Sequence, residues 1–249
     1  MSIPVGIQLY TLREQTKRDF AGTLERVASL GLAGVEFAGY NDLPAGKLRD
    51  LLARLGLRAA ASHVSLERLE KVLPHEIEYA REAGIPTLVC PWWNESDEAG
   101  WLRLSERLAP IAEACAAAGL GFAYHNHAHE LTSQVGGRPA LDAILAGAPG
   151  MQAELDVAWL YAGGVDPLSY LMRYSGRVPL LHLKDTRQAE EGKWGTLELG
   201  TGDVNLAGIL GAAQGAGVQW LLIEQDHCPG DPFDSVQQSI AYLKTQRVL

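Results

Sequence analysis

Four polar residues stand at the downstream ends of four successive apolar runs in the second half of the chain: Glu130, Asp156, His182 and Glu224. Three carboxylates and one imidazole form a hard, oxygen-rich set of the kind that holds a divalent cation. If the runs are parallel strands of one barrel, their ends converge on one face and these side chains become neighbours. The sequence therefore predicts a site for one divalent metal ion.

The crowding of these carboxylates also favours an ion. Two carboxylates ~5 Å apart repel by roughly 3 kcal/mol at an effective dielectric of 20, so a shared cavity should take up a proton or a cation. Taken singly, each residue has a structural alternative. Glu130 could end a loop, Asp156 could pair with Lys184, His182 could be a hydrogen-bonded core histidine, and Glu224 could meet an arginine. Their common position on consecutive strands favours the joint site.

Composition places the chain among globular α/β proteins that act on small polar ligands. It has 249 residues, 47% of them hydrophobic, which suits one domain over residues 1–249. The net charge of −9 argues against a nucleic-acid partner, which normally needs a basic surface. There is no run of 18 apolar residues, so no membrane association is expected. The three cysteines lack CxxC spacing and indicate a reducing compartment, so we expect a cytoplasmic protein.

Glycines that end amphipathic stretches recur just before short apolar runs, as in SLGLAGVEF and EAGIPTLV. Each repeat therefore predicts a helix, a stop and a strand. The expected strands are 4–10, 33–38, 58–64, 86–91, 120–127, 151–157, 179–184 and 219–225. Such alternation predicts a (β/α)8 TIM barrel. A doubly wound open sheet also alternates strand and helix, but no GxGxxG follows the first strand.

Side-chain alternation predicts which strand residues face the inside of the barrel. In the sixth strand the apolar residues are Met151, Ala153, Leu155 and Val157, and the polar residues are Gln152, Glu154 and Asp156. The apolar set should face the helices and the polar set the barrel interior. By the same counting, His182 shares its face with Leu180 and Lys184, Glu224 with Trp220 and Leu222, and Glu130 with Tyr124 and Asn126. All four candidate ligands are therefore expected to face the barrel mouth.

Eight short motifs occur in order along the chain: GIQLYTLRE, GVEF, ASH, HNHAHE, ELDVAW, HLKD, GTGD and IEQD. Together they resemble the xylose isomerase-like TIM-barrel superfamily of sugar isomerases and epimerases over essentially the whole chain. The resemblance implies metal ligands at the ends of strands five to eight, which match Glu130, Asp156, His182 and Glu224. It also implies that Glu130 and Glu224 are the proton-transfer pair.

The same superfamily contains DNA-repair endonucleases with three zinc ions, and the chain departs from their pattern. Trp159 stands where those enzymes have a histidine after the sixth strand, and Cys90-Pro91-Trp92-Trp93 stands where another histidine ends the fourth. The DxH that follows their seventh-strand histidine is also missing. A trinuclear nuclease is therefore not expected.

The expected chemistry is proton transfer on a sugar. A divalent ion, which could be Mn, Mg, Co or Zn, would stabilise the enediolate that forms when a carbon-bound proton leaves. Return of the proton to either carbon gives a sugar isomerase or epimerase. Two alternatives stay open: a dehydratase of the inosose-dehydratase type, and a non-catalytic sugar-binding barrel. The helices could support a homo-oligomer, but no exposed apolar stripe marks an interface.

Further side chains near the predicted strand ends are candidates for contacting substrate. His63 ends the third strand with inward parity and could bind a hydroxyl or be structural. Glu36 could do likewise or pair with Lys184. Trp159 could pack on a sugar or close the barrel top. Arg187 follows the seventh strand in a loop where relatives often place a substrate-contacting arginine, and a solvated surface arginine is the alternative.

The histidines of HNHAHE have the opposite parity to Glu130 in an ideal strand, although a bulge would change this. We favour His127 as a residue that lines the pocket, and we interpret His125 and His129 as structural. The later segment GKWGTLELGTGDVN has four glycines and is expected to form a loop at the mouth, with Asp203 capping the next helix.

Overall fold

The computed structural model describes residues 2–189 and 193–249. Its strands are β1 (Val5–Gln8), β2 (Gly34–Phe37), β3 (Arg58–His63), β4 (Thr87–Cys90), β5 (Gly121–His125), β6 (Gln134–Val135), β7 (Arg138–Pro139), β8 (Gln152–Asp156), β9 (Leu180–Leu183), β10 (Asp185–Gln188), β11 (Trp194–Leu197) and β12 (Trp220–Ile223). Parallel pairing closes eight of them into a barrel in the order β1-β12-β9-β8-β5-β4-β3-β2. Each barrel strand lies within its predicted range, so the predicted (β/α)8 barrel is confirmed.

Helices lie between the barrel strands and cover the outside of the barrel. They are α1 (Arg13–Arg18), α2 (Phe20–Ser29), α3 (Ala45–Leu55), α4 (Leu66–Ala83), α5 (Glu98–Ala117), α6 (His129–Thr132), α7 (Ala140–Gly147), α8 (Val157–Ala162), α9 (Pro167–Arg173), α10 (Leu206–Ala213) and α11 (Pro232–Thr245). A 3-10 turn, Leu9–Leu12, follows β1. Gly56 and Gly84 end α3 and α4 in the left-handed conformation, as the glycine pattern predicts. Within the described ranges, every helix is too short or too polar to cross a membrane.

Two small antiparallel pairs decorate the barrel, β6 with β7 and β10 with β11. The second pair corrects one expectation, because part of GKWGTLELGTGDVN forms β11 and not a loop. Gly192, which begins that segment, lies outside the described residues. Asp203 does not cap α10; the side chain of Asn205 does, accepting a hydrogen bond from the Gly208 N–H at 3.1 Å.

The floor of the barrel interior is apolar. It is formed by Ala60, Ala61, Val89, Ala123, Leu180, Trp220 and Leu222. A larger core fills the space between the strands and the helices. Since side chains alternate along a strand, the interior position two residues after Ala61, Ala123, Leu180 or Leu222 lies one layer closer to the mouth. That next layer is polar, and it forms the candidate site.

Gly34 is a position where the barrel has no room for a side chain. A Cβ there would lie 2.3 Å from the Arg58 carbonyl oxygen and 2.7 Å from Cη2 of Trp220. We therefore expect Gly34→Ala to reduce the free energy of unfolding by roughly 1–3 kcal/mol, measured by urea denaturation. In Gly150→Ala the added Cβ meets no atom within 4 Å, so this control should change stability by less than about 0.5 kcal/mol. Equal stability of the two variants would contradict the expectation.

Candidate functional site

Four strands place a polar side chain directly above the apolar floor. Ala61, Ala123, Leu180 and Leu222 in the floor are followed two residues later by His63, His125, His182 and Glu224. The inward parity predicted for His182 and Glu224 is confirmed, and so is that of His63. The site is therefore a direct product of strand alternation in a closed barrel.

Three imidazoles converge on one oxygen of Glu154. Its Oε2 lies 2.6 Å from His63 Nε2, 3.1 Å from His125 Nδ1 and 3.3 Å from His182 Nε2. The other oxygen, Oε1, is buried and has no hydrogen-bond partner among the described residues. His63, His125, Glu154 and His182 can together offer ligand atoms that all lie within 4.8 Å of one another.

A second group shares two of these histidines and lies towards β12. Its members are His125, Asp156, His182 and Glu224, again with ligand atoms within 4.8 Å of one another. Nδ1 of His182 lies 2.8 Å from Glu224 Oε2, and its Nε2 lies 2.6 Å from Glu36 Oε2. Both ring nitrogens of His182 therefore contact carboxylates, so an ion would have to replace one of these contacts while the other fixes the ring. The structure thus contains a His, Glu and Asp cluster that could hold a metal ion.

Lys184 brings a positive charge into the same space. Its Nζ lies 2.9 Å from Asp156 Oδ2 and 2.8 Å from both Glu224 Oε2 and Asp226 Oδ2. The Asp156–Lys184 pair considered as an alternative from the sequence is therefore present. This contact is an ion pair and not a hydrogen bond. Among the described residues, neither Lys184 Nζ nor Asp156 Oδ2 has a partner at hydrogen-bonding angles. The Lys184 ammonium neutralises part of the negative charge of these carboxylates. Lone pairs on the carboxylate oxygens remain free to bind an ion.

Burial and mutual charge set the ionisation of the cluster. Burial, reinforced by the charge of Glu154, raises the pKa of Glu36 to about 7. Burial raises the pKa of Asp156 to about 6 against the opposing effect of Lys184. Burial together with the charge of His182 lowers the pKa of His125 to about 4. His125 is therefore neutral at pH 7 and can offer a nitrogen lone pair, as a metal ligand must.

Two other members of the cluster hold their charge despite burial. Burial alone would lower the pKa of His182, but Glu154, Glu36 and Glu224 raise it well above its ordinary value. Burial would likewise raise the pKa of Glu224, but Lys184 and His182 hold it well below its ordinary value. Glu224 is thus an ionised carboxylate inside the barrel, in a low-dielectric setting where its charge acts strongly.

Glu130 is the predicted ligand that the structure does not bring to the cluster. The chain leaves β5 after His125, and Glu130 lies in the first turn of α6. Its Oε1 accepts a hydrogen bond from the Tyr124 hydroxyl and its Oε2 accepts one from the His127 N–H, both at 2.8 Å. Tyr124 belongs to the core between strands and helices, so parity counted through residue 130 fails. In this structure Glu130 accepts hydrogen bonds around the turn between β5 and α6 and lies outside the two groups of candidate ligands. Its role as a metal ligand stays a prediction.

The five predicted substrate-contacting residues divide into three kinds. His63 and Glu36 lie within the cluster, with the His63 side chain 11% exposed, although Glu36 faces His182 and not Lys184. His127 and Trp159 are half-buried beside it, with ring centroids 5.8 Å apart. Arg187 lies outside: its Nε is 3.0 Å from Asp203 Oδ1, its side chain is 56% exposed, and it also donates to the Thr201 carbonyl. The prediction for Arg187 is therefore not supported.

Three cluster residues were not selected from the sequence: His125, Glu154 and Lys184. Glu154 and Lys184 both share the inward parity of a chosen neighbour on the same strand, and that signal was available. For His125 the signal was weaker. The apolar Phe122 and Tyr124 on either side of Ala123 mark the helix-facing side of β5, and this alternation points His125 inward.

Comparison with known proteins agrees with this architecture. Residues 24–246 match the family model of the xylose isomerase-like TIM barrel, and the chain belongs to that family. No curated protein matches the chain.

Three solved structures illustrate the fold's relatives. A sugar phosphate isomerase/epimerase from Parabacteroides distasonis ATCC 8503 is 22% identical, with a TM-score of 0.80 over 100% of this chain and 98% of that one. A probable 3-DHS dehydratase from Bacillus anthracis is 14% identical, with a TM-score of 0.76 over 97% and 99%. An L-ribulose 3-epimerase is 16% identical, with a TM-score of 0.73 over 98% and 96%. At these identities the likeness establishes the fold alone.

The environment of Glu130 generates a pH prediction. Burial raises its pKa from an ordinary 4.5 to about 8, so between these values the folded chain keeps a proton that the unfolded chain releases. The resulting stabilisation is complete below pH 4.5 and is lost as the pH rises through 8. Glu130→Gln resembles the protonated form, because its amide can donate to the Tyr124 oxygen and accept from His127. The variant should therefore gain stability relative to the native protein as the pH rises from 5 to 9.

Urea denaturation at pH 5, 7 and 9 measures this difference, whose slope should not exceed about 1.4 kcal/mol per pH unit. Glu113→Gln, on the exposed face of α5, is the control and should keep a constant offset. If the Glu130→Gln offset is also constant with pH, the buried carboxyl is already ionised at pH 5 and the expectation is wrong.

Proposed function

We propose that this protein is a divalent-metal-dependent sugar isomerase or epimerase. The observation on which the proposal chiefly rests is the buried group of His125, Asp156, His182 and Glu224 at the carboxyl ends of the strands. In TIM barrels that end is where catalytic residues gather. Membership of the xylose isomerase-like family and neighbours with the names of sugar isomerases and epimerases support the substrate class.

The donor set suits a transition-series ion. Relative to the set that the family resemblance implies, His125 replaces Glu130, which leaves two imidazoles and two carboxylates. His182, whose pKa the surrounding carboxylates raise well above its ordinary value, would release a proton when the ion binds. Imidazole ligands favour Co²⁺ or Zn²⁺ and carboxylates accept Mn²⁺, so the mixed set suits these ions better than Mg²⁺. Asp156 Oδ2 and His125 Nδ1 are buried without a well-aligned hydrogen-bond partner among the described residues. Buried polar atoms without a partner are rare in folded proteins, and a bound cation would supply the missing partner here.

The bound ion would supply Lewis-acid stabilisation of the negative charge that develops on the sugar when a carbon-bound proton is removed. Glu224 is the residue we assign to move that proton, since Lys184 and His182 keep it ionised. Glu36 holds the His182 ring. His63 is the cluster histidine that reaches the mouth, where it can bind a substrate hydroxyl. A positioned proton transfer is typically worth about 10²–10⁴-fold in rate.

The ligand assignment makes a prediction about metal content. Native protein that is stripped with a chelator, reloaded with Mn²⁺ and dialysed should retain about one ion per chain by inductively coupled plasma mass spectrometry. Asp156→Asn should retain at least about tenfold less at limiting Mn²⁺, because losing a ligand weakens the site. Glu130→Gln should bind like the native protein. Loss of the ion in both variants would restore the ligand set implied by the family resemblance, and retention of the ion in Asp156→Asn would contradict both ligand sets.

Glu224 makes a prediction about turnover. In heavy water the Mn²⁺-loaded protein should exchange a carbon-bound hydrogen of at least one member of a panel of keto sugars, followed by NMR. Glu224→Gln should slow that exchange by about 10²-fold or more, and Glu113→Gln should not change it. A Glu224→Gln variant that keeps a tenth of the native rate would remove Glu224 from the chemistry.

The same panel separates the competing activities. Movement of the carbonyl to the adjacent carbon, which converts a ketose into an aldose, identifies an isomerase, and inversion at one carbon identifies an epimerase. Loss of water from a keto sugar or an inosose, seen by mass spectrometry, would identify a dehydratase and overturn the proposal. Sugar binding without exchange or water loss would identify a non-catalytic barrel.

A further inference from the structure

A large groove opens at the carboxyl ends of β1 to β4, on the same face of the barrel as the candidate cluster. Its volume is about 1010 Å³, and its walls are Tyr10, the loop 38–45, residues 63–65 and Pro91, together with side chains of α4. It meets the cluster at His63, whose Nε2 lies 2.6 Å from Glu154. The groove is therefore continuous with the site where the chemistry is proposed to occur.

The size of the groove exceeds what a single sugar needs. Pockets that bury drug-sized ligands span about 300–1,000 Å³, and this groove lies at the upper end of that range. A monosaccharide held at the cluster through His63 would leave most of the groove open. A substrate with a second ring would extend into it.

The wall of the groove offers aromatic faces. Tyr40 and Tyr79 stack with centroids 4.1 Å apart and planes inclined by 23°, and Tyr10 is 43% exposed. Tyr79 is held by its hydroxyl, which donates to the Leu43 carbonyl at 2.6 Å. Rigid tyrosine rings of this kind pack well against the apolar face of a sugar ring or against an aryl ring.

The charge of the groove disfavours a phosphate. The acidic residues of its lining are Asp42, Glu76, Glu78 and Glu82. The basic ones are Arg68, His75 and His63. Arg68 already donates from Nε to Glu76 Oε1 at 2.7 Å, and His63 Nε2 already lies 2.6 Å from Glu154 Oε2. A phosphate dianion would face an excess of carboxylates, which repel it. Oε2 of Glu76 is buried and unpartnered among the described residues, which suits a hydroxyl donor better than an anion.

The loop that forms one side of the groove is preshaped. Gly39, Asn41 and Asp42 all have positive φ, at 102°, 47° and 56°, a region that glycine, asparagine and aspartate tolerate best. The Asn41 side chain donates to the Thr16 carbonyl at 3.1 Å and ties the loop to α1. A wall that is fixed before binding loses less conformational entropy when a ligand packs against it.

We infer that the groove is a subsite for a second, uncharged ring joined to the reacting sugar, so that the substrate is a glycoside, with its reacting carbonyl at a carbon other than the glycosidic one, and not a sugar phosphate. The inference rests on the proposed function, because the reacting sugar is placed at the cluster. Tyr40, Tyr79 and Tyr10 pack against the second ring, and His63 marks the junction between the two parts of the site.

The test is a comparison of matched ligands by isothermal titration calorimetry on the Mn²⁺-loaded full chain. Each of three series contains a parent sugar, a disaccharide of it and its phenyl glycoside, with glucose, galactose and xylose as parents; glucose and galactose are also tested as their 6-phosphates. In at least one series a two-ring ligand should bind roughly tenfold or more tightly than its parent, as expected for a ring packed on aromatic side chains. The sugar phosphates should bind no more tightly than their parents. A disaccharide that outperforms the phenyl glycoside identifies the second ring as glycosyl, and the reverse identifies it as aryl.

Substitutions in the wall of the groove test which residues cause the tighter binding of two-ring ligands. Tyr79→Ala should remove most of it without weakening the parent sugar, whereas Tyr79→Phe, which keeps the ring, should retain it. Tyr10→Ala provides a second measurement at an exposed position if Tyr79→Ala does not fold, and it should reduce the preference. Tyr242→Ala, a half-buried tyrosine of α11 outside the groove, is the matched control and should leave the preference unchanged.

The inference is overturned if no series shows the preference, if a sugar phosphate binds more tightly than its parent, or if the preference survives in both Tyr79→Ala and Tyr10→Ala. These outcomes are separable from failure of the proposed function, because binding and isotope exchange are measured independently. Exchange on a monosaccharide without the two-ring preference leaves the isomerase and removes the subsite. Tighter binding of a two-ring ligand without hydrogen exchange would support the subsite and contradict the isomerase proposal.

Discussion

The central constraint on this structure is that the charge of several carboxylates buried inside a closed barrel must be compensated. Isolated buried charges are prohibitively unfavourable, so each acid must meet a cation, a proton or several hydrogen-bond donors. Around the apolar floor this is done by imidazoles and one ammonium. Glu154 faces three histidines, Glu36 and Glu224 flank His182, and Lys184 lies among Asp156, Glu224 and Asp226. The arrangement of the mouth follows from these pairings.

Barrel closure makes the pairings possible between residues that are distant in sequence. Glu36 and His182 are 146 positions apart, yet their side chains meet at 2.6 Å. The apolar floor forms one interior layer, and alternation lifts the polar residues to the next layer. A substitution that shifted the register of one strand by one residue would move its polar group into the helix-facing core.

Much of the fold could be predicted because barrel strands produce a strong local signal: a helix-stopping glycine followed by a short apolar run. The placement of Asp156, His182 and Glu224 could be predicted because they lie on, or directly after, strands that run straight to the mouth. Glu130 could not be placed in this way, since β5 ends at His125 and the chain turns into α6 before residue 130. Parity has no meaning beyond the end of a strand. The sequence offers both Asp156 and Glu36 as partners for Lys184, because pattern does not reveal which of several acids a cation will meet.

Lys184 also bears on how an ion would act in this protein. In small zinc domains the metal supplies the folding free energy, and the unfolded chain results when it is removed. Here an internal ammonium already approaches three carboxylates, and a large apolar core holds the barrel together. An ion bound by Asp156 and Glu224 would therefore compete with Lys184 for the same oxygens and would contribute less to stability than its ligand count suggests. Its contribution would lie in the charge it places beside the substrate, where Glu224 is already ionised.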